Sequence, residues 1–106
     1  MFARTVRMQL KPNSVAEFTR TLENDIIPLL RQQPGFQGEI AFVVPGGTAA
    51  VSISLWDQQE DAEAYARGTY PHVLQAVANV LEGTPQVDPY AVSNSTCHKI
   101  AVRVAV

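Results

Sequence analysis

Positions 2–10 alternate, with Phe2, Val6, Met8 and Leu10 on one face and Thr5, Arg7 and Gln9 on the other, which predicts a strand with two chemically different faces. Lys11-Pro12-Asn13 breaks the alternation, and Ser14 followed by Glu17 carries the signature of a capping box. Val15, Phe18, Leu22, Ile26, Leu29 and Leu30 then recur at three- and four-residue spacing, so a helix with a core-facing stripe is predicted over 14–32. Pro28 removes one hydrogen bond from it, and either kinks it or marks where its last turn begins. Gln33-Pro34-Gly35 stops the helix. A second strand follows over 36–44, with Phe36, Ile40, Phe42 and Val44 on one face, and Pro45-Gly46-Gly47 turns the chain into a third strand over 48–56. Within that third strand Val51, Ile53 and Leu55 oppose Ser52, Ser54 and Trp56. One face is wholly apolar; the other is small, polar and aromatic.

A short helix is predicted over 57–67, with Asp57 as N-cap, acidic residues in its first turns and Gly68 at its end. The next helix starts near 69–71 and carries Val73, Leu74, Val77, Val80 and Leu81 inward until Gly83 and Pro85 stop it. Residues 87–92 read as a fourth strand. The tail over 98–106 alternates as a fifth, with Ile100, Val102, Val104 and Val106 on one side. The order is that of a ferredoxin-like α+β domain spanning 1–106, with a core over 2–92 and an extension over 93–106.

Helices cover only one face of such an antiparallel sheet. The face taken to be left over, with Thr5, Ala41, Val43, Ser52, Ser54 and Trp56, is too poor in charge to lie in water. A face-to-face homodimer is therefore expected, with the alternating tail pairing with a sheet edge, its own or the partner's.

Composition narrows the functions. Of 106 residues 46% are hydrophobic and 17% charged, within the globular range. Eight basic residues against ten acidic ones, dispersed along the chain, lack the basic stripe that a nucleic-acid partner requires. The apolar runs fall short of the roughly 20 residues of a membrane span, and the start of the chain has no export pattern. Cys97 is the one cysteine and has no disulfide partner, which fits a reducing cytoplasm. There is no HExxH, paired-cysteine or GxGxxG motif, so neither a metal nor a nucleotide cofactor is expected, and Gly46-Gly47 belongs to a turn.

Pro28-Leu29-Leu30, Gln33-Pro34-Gly35-Phe36, the hairpin ending at Leu55-Trp56, the helix after Asp57, and Pro71-His72 occur in an order that resembles the antibiotic biosynthesis monooxygenase superfamily, the dimeric α+β barrel proteins. The resemblance covers about 2–92 and leaves out the tail. It implies a barrel of two sheets with a cavity in each subunit between sheet and helices. It also implies one of several activities: cofactor-independent oxygenation of polycyclic phenols and quinols, heme degradation, or a role in signalling-molecule turnover. The heme-degrading branch relies on an Asn in the first strand, a Trp on the short helix and a His on the next. Those positions hold Val6, Tyr65 and Gln75, so that branch is set aside.

Candidate site residues follow from the stretch between Trp56 and His72. His72 opens a helix, where the dipole disfavours a positive charge. A neutral imidazole there suits a general base that takes a phenolic proton, as well as a plain surface histidine. Tyr65, beside the small Ala62 and Ala66, suits either a ligand wall or ordinary packing, and Tyr70 carries the same two readings. Asn79 shares a helix stripe with His72 and Ala76 and is a candidate for orienting a ligand. Trp56 is expected at the dimer contact or the strand–helix corner. The leading reading is a cytoplasmic, homodimeric monooxygenase of a small phenol or quinol without cofactor. The alternative is a non-enzymatic ligand-binding or stress-response dimer.

Overall fold

The computed structural model describes residues 1–97; the expected fifth strand over 98–106 lies outside them. The elements run β1 (Phe2–Leu10), α1 (Val15–Thr21), a π-helical turn (Leu22–Ile26), α2 (Ile27–Arg31), β2 (Phe36–Val43), β3 (Ala49–Trp56), α3 (Gln59–Gly68), α4 (Tyr70–Val77), a 3₁₀ turn (Ala78–Val80) and β4 (Leu81–Ala91). The four strands form one antiparallel sheet in the order β2-β3-β1-β4, and the helices pack on one face of it, the ferredoxin-like α+β arrangement.

The first helical region spans the predicted length, and Pro28 decides how it is wound. Proline has no N–H to donate and its ring crowds the carbonyl four residues back. The chain widens into a π turn immediately before it and resumes α geometry at Ile27, with Pro28 in the first turn of α2. Ser14 does occupy the N-cap, but the capping box does not form. Its hydroxyl points to the Pro12 carbonyl at 3.5 Å rather than to a helix N–H. Asp57 likewise is not the cap of α3. Gln58 holds that place, while the Asp57 N–H donates to the Gly35 carbonyl (2.8 Å) and its carboxylate accepts from Gln37 Nε2 (2.6 Å). Gly35 has φ +78° and its missing Cβ is the space taken by the Asp61 side chain, so no other residue fits there.

The last predicted helix ends early. Val80 closes a 3₁₀ turn and Leu81 already begins β4, an eleven-residue edge strand that contains Pro85 and Pro89. Proline is tolerated on an edge because its missing donor faces no neighbouring strand. Gly83 (φ +70°) lies where the β1–β4 register shifts between Arg7 and Gln9.

The largest correction concerns which side of the sheet is covered. Register places Phe36, Trp56 and Phe2 in one cross-strand row, and Glu39, Ser54 and Arg4 in the next. These rows face the helices. Trp56 is fully buried, edge-on to Phe36 (ring centroids 5.5 Å) and tilted against Tyr65 (5.0 Å), so it belongs to the core rather than to a dimer contact. The wholly apolar set, Val51, Ile53 and Leu55, lies on the other side, in rows with Phe42, with Ile40 and Thr5, and with Ala3 and Tyr90. On that side Ile40 and Phe42 are each 51% exposed. The face that has no helices over it is thus the oilier one.

Candidate functional site

Small side chains on β3 create the site. Ser52 and Ser54 face the helices where larger residues would fill the gap, and a cavity of about 50 Å³ remains between the sheet and the helical layer. Its walls are Arg4, Glu39, Ser52 and Ser54 from the strands, Leu22 and Ile26 from the π turn, and Tyr65, Tyr70 and Val77 from α3 and α4. That volume accommodates a few waters; roughly 150 Å³ is enough for benzene in an apolar protein cavity. The π turn contributes Leu22 and Ile26 to the roof, beside Phe18 of α1 and Leu30 of α2.

The cavity is electrostatically asymmetric. Arg4 is 7% exposed, its guanidinium carbon 3.9 Å from the Tyr70 ring centroid and 5.3 Å from that of Tyr65. Among the described residues the ion pair is Arg7–Asp88 (3.3 Å), so no carboxylate lies within pairing distance of Arg4. Burying an unpaired cation is costly, and two aromatic faces offset only about 1–2 kcal/mol each when desolvated. The surplus positive potential is available to an anion. Behind Arg4, the Trp56 indole N–H donates to Ser54 Oγ (2.9 Å), and the Ser54 hydroxyl donates to the Arg4 backbone carbonyl (3.4 Å), tying β3 to β1 at this point.

Burial pushes the Tyr65 phenol up to about 12 despite the opposing pull of Arg4, and it pushes Tyr70 up as well against the same pull. Both phenols are therefore protonated at neutral pH and act as hydrogen-bond donors. Across Ser54 from Arg4, burial raises the Glu39 carboxyl above the usual range, opposed by the Ser52 hydroxyl, which donates to Glu39 Oε1 at 3.5 Å. Folding thus favours protonated Glu39. In acid both folded and unfolded chains are protonated there and the site costs nothing; as pH rises through the usual carboxylate range the unfolded chain ionises first and stability falls. Glu39→Gln is expected to raise the melting temperature at neutral pH, with the gain vanishing in acid. Equal gains at both pH values in a thermal melt would rule out charge burial as the cause.

Of the residues singled out from sequence, Tyr65 and Tyr70 meet at this cavity, with ring centroids 6.0 Å apart. His72 and Asn79 do not. His72 is exposed on α4, Asn79 is exposed in the 3₁₀ turn, and neither is part of the wall. Arg4 and Glu39 escaped the sequence reading, although each left a signal. Arg4 interrupts the otherwise apolar face Phe2, Val6, Met8, Leu10, and Glu39 shares its face with Ala41 and Val43. Among the described residues no cluster of His, Cys, Asp and Glu is placed to hold a metal ion, and no helix is long and apolar enough to cross a membrane.

The family model for antibiotic biosynthesis monooxygenase matches residues 1–79. The chain belongs to that family. Solved structures show the same fold at low identity. A monooxygenase from the gene ActVA-Orf6 of Streptomyces coelicolor, in complex with nanaomycin D, superposes with a TM-score of 0.75 at 17% identity, covering 89% of this chain and 88% of that one. SnoaB, a cofactor-independent oxygenase from Streptomyces nogalater, gives 0.72 at 16% identity, covering 92% and 97%. A protein of unknown function from Nitrosomonas europaea gives 0.74 at 20% identity, covering 90% and 91%. Among curated proteins none matches the chain. As a member of the antibiotic biosynthesis monooxygenase family, the protein carries its cavity on the helix side of the sheet, where Arg4 is the buried cation.

Proposed function

We propose that this protein is a homodimeric, cofactor-independent monooxygenase of small phenols. The observation that carries the reading is the buried Arg4 guanidinium, stacked on Tyr70 and facing a cavity without a carboxylate paired to it. A phenol entering the cavity gains most from Arg4 once it has lost its proton, so the site favours the electron-rich phenolate over the neutral phenol. Dioxygen is the oxidant. For a phenol with a free para position the balance is phenol + O₂ → quinone + water: the ring loses four electrons, dioxygen takes them, and one oxygen atom enters the ring. No outside reductant is needed. Tyr65 and Tyr70 supply apolar walls and donated hydrogen bonds. His72 stands outside the cavity, so no proton is routed through it.

Oxygen uptake with 1-naphthol, whose para position is free, tests this. Arg4→Gln is expected to lower the rate by about 10²–10³-fold, the usual cost of removing one preorganised charge stabiliser. His72→Ala is expected to match the wild type. Equal rates for wild type and Arg4→Gln would end the assignment.

The rival, a non-enzymatic ligand-binding dimer, is favoured by one observation: at about 50 Å³ the cavity admits no aromatic ring until its walls give way. Binding of 4-nitrophenol without uptake of oxygen on any phenol would decide for it. The dimer itself is supported by the apolar outer face of the sheet, on which Ile40 and Phe42 stand half exposed.

A further inference from the structure

Glu39 borders two recesses at once. It lines the inner cavity beside Arg4, Ser52 and Ser54, and it also lines an open groove between the helical layer and edge strand β2, where Glu23 and Arg31 lie. Phe18 and Leu22 are common to both recesses but apolar. Among the described residues Glu39 is the shared ionisable side chain. We propose that Glu39 is the proton acceptor of the reaction, taking the phenolic proton inside the cavity and releasing it to water in the groove.

This rests on the monooxygenase reading and names its base. Arg4, Ser54 and Glu39 are register partners on three adjacent strands, with Arg4 and Glu39 on the two outer ones, about 10 Å apart across the sheet. Two long side chains flank one small one, so a ligand oxygen above Ser54 meets the guanidinium on one side and the carboxylate on the other. Around Glu39 the charged and titratable groups are Arg4 on β1, Tyr65 on α3, Tyr70 on α4, Glu23 in the π turn and Arg31 on α2. The two phenols hold their protons and cannot compete as acceptors. A carboxyl raised by burial is also a better base than an exposed one. In the step itself the phenol O–H bond breaks, its electron pair stays on the oxygen against Arg4, and a new O–H bond forms on Glu39. Oxidation of the phenolate by dioxygen then follows the balance given above.

Proton counting on bound 4-nitrophenol tests this without turnover. Titration calorimetry is run in buffers of different ionisation enthalpy, at a pH between the ionisations of Glu39 and free 4-nitrophenol, while the absorption band of the anion reports the bound form. The wild type is expected to bind the phenolate and release close to no protons, because Glu39 keeps the one removed. Glu39→Gln should bind the phenolate and release about one. Equal release by the two proteins overturns Glu39 as acceptor and leaves the phenol-binding site standing. Failure of the wild type to bind 4-nitrophenol overturns the monooxygenase reading, and this inference with it.

Discussion

Trp56→Ala is expected to lower the unfolding free energy by about 3–5 kcal/mol, the range for deleting a large buried aromatic side chain. Trp56 is 0% exposed at the corner where β3 leaves the sheet, held between Phe36 and Tyr65, and its indole N–H donates to Ser54. Alanine removes those ring contacts and the donor to Ser54 together, and the neighbours cannot collapse into the space because Phe36 and Tyr65 are anchored on separate elements. Since Trp56 is the only tryptophan, unfolding in urea must be followed by far-ultraviolet circular dichroism, at one protein concentration so that any assembly is held constant. Trp56→Phe, which keeps an apolar ring, should cost clearly less. A loss under about 1 kcal/mol for Trp56→Ala would mean that the corner does not hold the fold together.

Ile53→Asp is expected to convert the proposed dimer to a monomer at micromolar concentration, raising the dissociation constant by at least about 10²-fold. Ile53 is centred on the uncovered face, paired across the sheet with Ile40 and Thr5 and flanked by the Phe42–Val51 row. A second copy seated on that face would bury the carboxylate with no cation to meet it; such a charge at an interface centre costs several kcal/mol, enough for the stated change. The nearest basic group on the face, Arg7, is already paired with Asp88. Because Ile53 points away from the cavity, the fold and 4-nitrophenol binding should survive the change. Sedimentation equilibrium decides the matter: a monomeric wild type, or an Ile53→Asp dimer as tight as the wild type, would remove the sheet face as the interface.

Much of this architecture is legible in the chain. Period-two runs mark β1, β2 and β3, Pro45-Gly46-Gly47 marks the hairpin, and the three- and four-residue spacing from Val15 to Leu30 marks the long helical region. Caps were less legible. Ser14 and Asp57 have the right chemistry for caps, but a hydroxyl or carboxylate takes whichever donor or acceptor the tertiary chain path offers, and here those are the Pro12 carbonyl and Gln37. The site was half legible: two tyrosines of the Trp56–His72 stretch line the cavity, but Arg4 and Glu39 come from β1 and β2.

Alternation determines which residues share a face, because successive side chains in a pleated strand point to opposite sides; it assigned Ser52, Ser54 and Trp56 together, and Val51, Ile53 and Leu55 together. Which of the two faces the helices cover is not a property of any one strand. The large ring of Trp56 and the apolar stripes of α1 and α4 pack on the serine side and leave the aliphatic side bare. Strand pairing brings Arg4 and Glu39, thirty-five positions apart in the chain, to either side of one serine, and the helix packing sets that row at the cavity. An arginine and a glutamate are ordinary letters in a strand; the fold buries the guanidinium and half-buries the carboxyl at one cavity, and that placement is what makes them candidates for chemistry.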